Sequence, residues 1–186
     1  LELHPGLDAY SCGSVREALR SIVGVQFRNL ATLGGSLFGR YGFSDVMSVF
    51  MSMDSYVELY KGGIVPLSEF VNMKYDNDIL VHLIIKKTPL KFHYYSVRNT
   101  RTDFPVLTCA AASDGTKIRI AVGARPGKAV IFEREMTEGD GAAEKFAEEA
   151  SKNIKTGTNM RAGAEYRSHL VRVLAKRAYN DLGGVK

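Results

Sequence analysis

"FRNLATLGGSLFGR", residues 27–40, is the stretch on which the reading of the chain turns. Gly34 and Gly35 follow Thr32-Leu33 and lie between an Arg28-Asn29 pair and Asp45. A glycine pair can be a plain turn. It can also let backbone amides approach an anion with no Cβ in the way. Thr32 and Ser36 add hydroxyl donors on either side, and a helix N-terminus close by would add a favourable dipole. The segment lacks the Gly-Lys-Ser/Thr of a Walker loop and the G-x-G-x-x-G of a Rossmann turn. Spacing alone therefore leaves a structural turn and a ligand loop both open.

Upstream, Ser14-Val15-Arg16-Glu17 has the form of a capping box. Apolar residues at 15, 18, 19, 22 and 23 then predict one helix face, ending near Gly24. Downstream, Ser44-Asp45 opens a second helix with Val46, Val49, Phe50 and Met53 at helical spacing. Residues 56–60 read as a strand closed by Lys61-Gly62-Gly63, and residues 79–85 as another, interrupted by His82. The composition changes at Lys86-Lys87-Thr88-Pro89. Beyond it, strands are predicted over 92–97, 104–112, 117–123 and 130–132, with Asp114-Gly115 as a hairpin signal. Two helices close the chain. One covers 141–154, with Phe146, Ala147, Ala150 and Ile154 inward; the other covers 164–181, with Tyr166, Leu170, Val173 and Leu174 inward and Gly183-Gly184 ending it. Strands followed by helices predict an α+β second domain, hence a division into 1–88 and 89–186.

The 186 residues are 45% hydrophobic and 24% charged, ordinary globular composition. No apolar run approaches the ~18 residues that span a bilayer. Leu1 to Gly6 show neither a basic nor an apolar signal region, so no membrane association and no signal peptide are expected. The two cysteines, Cys12 and Cys109, are far apart, which fits a reducing, cytoplasmic location. An iron–sulfur cluster needs about four thiolates, more than this chain has. The net charge of +5 is spread along the chain, with a denser patch at Arg167, Arg172, Lys176 and Arg177. That patch reads as a solvated face or an acidic partner's interface, not as a nucleic-acid surface. His4, His82, His93 and His169 show no metal spacing, and Met47, Met51 and Met53 read as helix packing. Cys109 reads as core, Tyr94 and Tyr95 as alternating across a strand, and Arg101 and Asp103 as a local pair.

"RNLATLGGS" (28–36) closely resembles the R-N-x-A-T-x-G-G-N/D/S motif of the FAD-binding flavoprotein (medium) subunit of molybdenum hydroxylases, the xanthine dehydrogenase and carbon monoxide dehydrogenase family. Three further stretches resemble the family in its order. They are "SDVMSVFMSMDSYVEL" (44–59), "FHYYSVRNTRTDFPVLTCAAA" (92–112) and "MRAGAEYRSHLVRVLAKRA" (160–178). The resemblance implies an α+β chain: the remainder of an FAD-binding α/β domain of PCMH type, then a C-terminal antiparallel sheet with helices. It implies an oxidoreductase subunit without a catalytic acid or base of its own. Molybdopterin would sit on a large partner subunit and two 2Fe-2S clusters on a small one. Electrons would reach FAD on this subunit and pass to NAD or another acceptor.

Carried onto this sequence, Thr32, Leu33, Gly34, Gly35 and Ser36 match the family's second double-glycine loop, which lies on the FAD pyrophosphate, and Asn29 matches the Asn before it. Asp45 matches an Asp on the adenosine side, and Leu80 an apolar residue near the adenine. Tyr95 falls where many members carry a Lys near the flavin, so the charge beside the ring differs. The family's earlier double-glycine loop has no counterpart in this sequence, and the resemblance implies roughly 70–90 further residues of a first subdomain upstream, cut from a fragment, carried on another chain or lost in this member. The alternative is a non-enzymatic assembly module that no longer binds FAD.

Overall fold

A computed structural model of the chain describes residues 1–183. Five short helices come first: α1 (Pro5–Tyr10), α2 (Ser14–Arg20), α3 (Val25–Leu30), α4 (Leu33–Phe38) and α5 (Asp45–Met51). Strand β1 (Ser55–Leu59) then pairs antiparallel with both β2 (Gly63–Pro66) and β3 (Leu80–Ile85), with the single turn α6 (Leu67–Phe70) between β2 and β3. The remainder is an antiparallel meander, β4 (Lys91–Val97), β5 (Leu107–Ser113), β6 (Lys117–Gly123) and β7 (Val130–Glu135), followed by α7 (Ala142–Asn153) and α8 (Ala164–Gly183). The fold is α+β, as expected.

The meander is covered on both faces, and alternation along each strand shows how. Phe92, Tyr94, Ala110, Ala112 and Ala121 turn toward the N-terminal helices; Cys109, Ala111, Ile118, Ile120 and Phe132 turn toward α7 and α8. All seven residues of β5 are buried. Small side chains on the first face let α5 lie close, and Ser48 of α5 meets Thr108 of β5 through a buried 2.8 Å hydroxyl contact. Met47, Met51 and Met53 fill the core under α5, as expected. The Asp114 carboxylate accepts from the amides of Thr116 and Lys117 at the β5–β6 hairpin, which holds it down at about 2.

Several expectations change. Ser14 is buried as the first residue of α2, not its cap; Gly13 at φ +79° precedes it, and Ser11 Oγ accepts from the Val15 amide at 3.3 Å. Glu17 pairs instead with Arg20 at 3.0 Å. The strand expected from residue 104 starts at Leu107, because residues 98–106 form a loop. Asp103 pairs with Arg161, not with Arg101. In α8 the inward stripe is Arg167, Leu170, Val171, Leu174, Ala175 and Ala178; Tyr166 is exposed and Val173 only half-buried. Arg167 decides that phase: fully buried, it donates to the carbonyls of Val106, Gly157 and Ala162 and to Asn159 Oδ1. The basic patch is thereby dispersed, since Arg172 pairs with Glu148 and Lys176 with Glu144. Gly184, named as part of the helix stop, lies outside the described residues.

A second buried arginine closes α4. Arg40 takes a left-handed φ of +47° and is 3% exposed. Its guanidinium lies 4.1 Å from the Phe70 ring centroid, 4.7 Å from Tyr75 and 5.2 Å from Phe38. It donates to the Met73 carbonyl at 2.9 Å, while Nε has no partner among the described residues. Arg40→Ala empties this cage and is expected to cost about 3 kcal/mol. Arg40→Met keeps the volume and removes a buried, unmatched donor, so it should stay within about 1 kcal/mol of wild type. Urea unfolding midpoints at constant slope check both.

Candidate functional site

The glycine segment is not a loop. Thr32 is extended (φ −107°, ψ 148°) and caps α4, its Oγ1 accepting from the Gly35 amide at 3.0 Å. The Ser36 amide and hydroxyl both donate to the Thr32 carbonyl, each at 3.1 Å. Gly34 and Gly35 therefore lie in the first turn of a helix, and neither has a positive φ. Their backbone conformation would suit any residue. Each costs the helix about 0.8–1 kcal/mol relative to alanine. What they leave is bare backbone: a Cβ on Gly34 would meet nothing within 4 Å, and one on Gly35 would meet only Thr32 Oγ1, at 3.0 Å. Helix starts leave amides unpaired, and here those of Leu33 and Gly34 have no partner among the described residues.

The face beside them is a cleft of about 450 Å³. Thr32, Gly35 and Ser36 border one side; the rings of Phe27, Tyr41, Phe43 and Phe104 form the apolar part. Tyr41 and Phe43 stack at 5.3 Å between centroids, and Phe43 lies 4.3 Å from Phe104. All four rings are partly exposed, an unusual concentration of apolar surface on one feature. Asp45 and Arg98 line the same cleft as a buried ion pair. Asp45 begins α5, whose cap is Ser44 Oγ accepting from the Met47 amide at 3.1 Å. Tyr94 OH and Arg98 Nη2 both donate to Asp45 Oδ1. Burial raises the Asp45 carboxyl above its ordinary value, and the Arg98 guanidinium and the Tyr94 hydroxyl offset only part of that.

Thr32, Gly35, Ser36 and Asp45 thus come together in one cleft. Asn29, exposed on α3, borders an adjoining cleft of about 430 Å³ with Thr32, Leu33 and Ser36. Leu80 on β3 packs into the N-terminal core and borders neither cleft. Tyr95 turns to the other face of β4, stacks on His93 at 4.3 Å and donates to Asp181 of α8; burial and then Asp181 raise its hydroxyl pKa. Its neighbour Tyr94 reaches Asp45 instead. Sequence reasoning missed Arg98, Tyr94 and the ring wall. The signal for Arg98 was available in "VRNTRTD", quoted for its family resemblance but not carried to a site residue. Elsewhere, Cys109 is buried, which pushes its thiol up to about 12, and His82 pairs with Glu58 at 2.8 Å. Among the described residues no three His, Cys, Asp or Glu side chains are grouped to hold a metal. No helix among them is long and apolar enough to cross a membrane.

Residues 4–88 match the family of the FAD-binding domain in molybdopterin dehydrogenase, and residues 92–182 that of the CO dehydrogenase flavoprotein C-terminal domain. The chain has the domain pair of the xanthine dehydrogenase and CO dehydrogenase flavoproteins and belongs to that family. Among solved structures it is similar to quinoline 2-oxidoreductase from Pseudomonas putida 86, at 17% identity and a TM-score of 0.83, covering 98% of this chain and 70% of that one. Carbon monoxide dehydrogenase from Hydrogenophaga pseudoflava, in a form lacking the Mo-pyranopterin moiety, gives 19% identity, a TM-score of 0.83 and the same coverages. Reconstituted CO dehydrogenase from Oligotropha carboxidovorans gives 18% identity and a TM-score of 0.80, covering 95% of this chain and 69% of that one. At these identities the likeness is one of fold. No curated protein sequence matches the chain.

Proposed function

We propose that the chain is the FAD-binding, electron-transfer part of a cytoplasmic molybdenum hydroxylase, built as units 1–88 and 89–186. The observation that carries this reading is the side-chain-free helix start. The amides of Leu33 and Gly34 lack acceptors among the described residues, and the open Gly34 and Gly35 backbone lets an oxyanion reach them. That donor set fits the pyrophosphate of FAD. FAD supplies reversible one- and two-electron chemistry that no side chain here provides.

The chain's own residues bind and orient. Thr32 fixes the first turn of α4 by engaging Gly35 N–H, leaving the two earlier amides free. Ser36 stands one residue beyond. Asp45 presents an acceptor-only group suited to sugar hydroxyls. Tyr41, Phe43 and Phe104 exclude water around a planar ring. In this reading a small subunit with 2Fe-2S clusters and a large molybdopterin subunit are the partners, and NAD or another oxidant takes the electrons.

The test is the visible absorption spectrum of the purified full-length gene product and of residues 1–186, with released cofactor identified by mass spectrometry. A flavin band with FAD released is the expected result for the full-length product. No band in either sample would overturn the reading and favour a non-enzymatic assembly module, for which the exposed Leu3, Val25 and Leu30 would be docking surface.

A further inference from the structure

Asp45 joins the two halves of the chain. It starts α5, yet both donors to its Oδ1 come from the C-terminal part: Tyr94 from β4 and Arg98 from just beyond it. The side chains of Arg98 and Asp45 are only 8% and 6% exposed. Arg98 is itself fixed, with Nη1 donating to the Asp103 carbonyl at 2.5 Å and Nε buried without a partner among the described residues. Asp103 is clamped in turn by Arg161 at 2.9 Å.

A carboxyl this buried favours its neutral form unless donors and a cation hold the charge. Those donors are Tyr94 and Arg98. Burial and the Asp45 charge raise the Tyr94 hydroxyl pKa, so Tyr94 stays a donor. The other charged groups around α5 have partners or face solvent. Arg161 holds Asp103 low. On α2, Arg16 faces Asp8 and Glu17 faces Arg20. Glu69 of α6 is exposed, and buried Cys109 behind Tyr94 is a neutral thiol. Tyr41 is the remaining titratable side chain on the cleft.

Resting on the FAD reading above, we propose that Arg98 and Tyr94 are positioning residues. They hold Asp45 as a fixed carboxylate that accepts a sugar or ribityl hydroxyl of the nucleotide bound at the start of α4. An acceptor-only group beside the phenyl rings of Phe43 and Phe104 selects a donor-bearing part of the ligand.

The experiment measures the FAD dissociation constant of the deflavinated full-length protein from about pH 6 to about pH 9. Wild type should be flat, since the Arg98 guanidinium and the Tyr94 hydroxyl both hold the charge on Asp45. In Arg98→Gln the carboxyl loses its cation, its pKa climbs and it protonates at the acid end. Affinity should then be about tenfold weaker near pH 6 and recover as pH rises and the carboxylate returns. Arg98→Lys restores the cation and should restore the flat profile. Tyr94→Phe, which keeps the ring, should show a smaller shift of the same sign and serves if Arg98→Gln does not fold. Asp45→Asn should be weak at every pH. An Arg98→Gln protein that is weak but pH-independent, or as tight as wild type, overturns the proposal. A wild-type protein that takes up no FAD overturns the flavin reading and the proposal together.

Discussion

Gly123→Ala is expected to destabilise the protein by about 3–5 kcal/mol, a large effect for a single methyl group. Gly123 ends β6 with its amide donating to Thr108 Oγ1 at 3.1 Å. A Cβ there would stand 2.3 Å from Ser48 Oγ and 2.7 Å from Thr108 Oγ1. Neither neighbour can swing aside cheaply. Both are fully buried and bonded to each other at 2.8 Å, so moving either strands a polar group without water. The alternative is to push α5 off the sheet, which opens the core under Met47 and Phe50. For a chain of this size the loss corresponds to a fall in melting temperature of about 10 °C. Thermal unfolding followed by circular dichroism checks it. Gly13→Ala is the comparison: its new Cβ meets nothing within 4 Å, and only the φ of +79° is strained. That should cost about 1 kcal/mol. Equal losses for the two would mean that the seam between α5 and the sheet is not tightly packed.

This seam also shows what the sequence could convey. Period-two alternation and the Asp-Gly turn announced the meander, because the β5–β6 hairpin is local and its strands carry the pattern on their own. β2 and α6 went unread for the opposite reason. Ile64 is 63% exposed on a four-residue strand, and α6 is one turn, so neither is long enough to show a period. The phase of α8 differs from the expected one because Arg167 turns inward, whereas arginine ordinarily lies at the surface. Arg167 is buried only because four acceptors, spread from Val106 to Ala162, converge on it. The site divides the same way. Thr32, Gly34, Gly35, Ser36 and Asp45 stand close together in sequence as well as in space. Tyr94, Arg98 and Phe104 reach the cleft from across the chain, and no local spacing encodes that. The parity of a strand residue depends on register, so the choice between Tyr94 and Tyr95 waited on the partner strand.

If the FAD reading holds, Gly35→Asp should leave the protein folded and without flavin. Gly35 is the third residue of α4, where a carboxylate favours the helix dipole and any side chain improves on glycine's propensity. The one contact to relieve is Thr32 Oγ1, 3.0 Å from the new Cβ, and a cap hydroxyl can shift by a few tenths of an ångström. Melting temperature should therefore stay near wild type. Binding behaves differently. A carboxylate about 5 Å from a phosphate charge, at an effective dielectric near 20, repels it by about 3 kcal/mol, on the order of a hundredfold in affinity. The Cβ also covers amides that the anion must reach. Gly34→Ala separates these contributions. It adds no charge, meets nothing within 4 Å and should strengthen the helix by about 0.8–1 kcal/mol while weakening FAD by steric cover alone. The measurement is flavin-to-protein stoichiometry from the absorption spectrum, with melting temperature read on the same samples. Wild-type flavin content in Gly35→Asp would show that the bare turn of α4 does not face the cofactor, and the helix cost of two adjacent glycines would then need another cause.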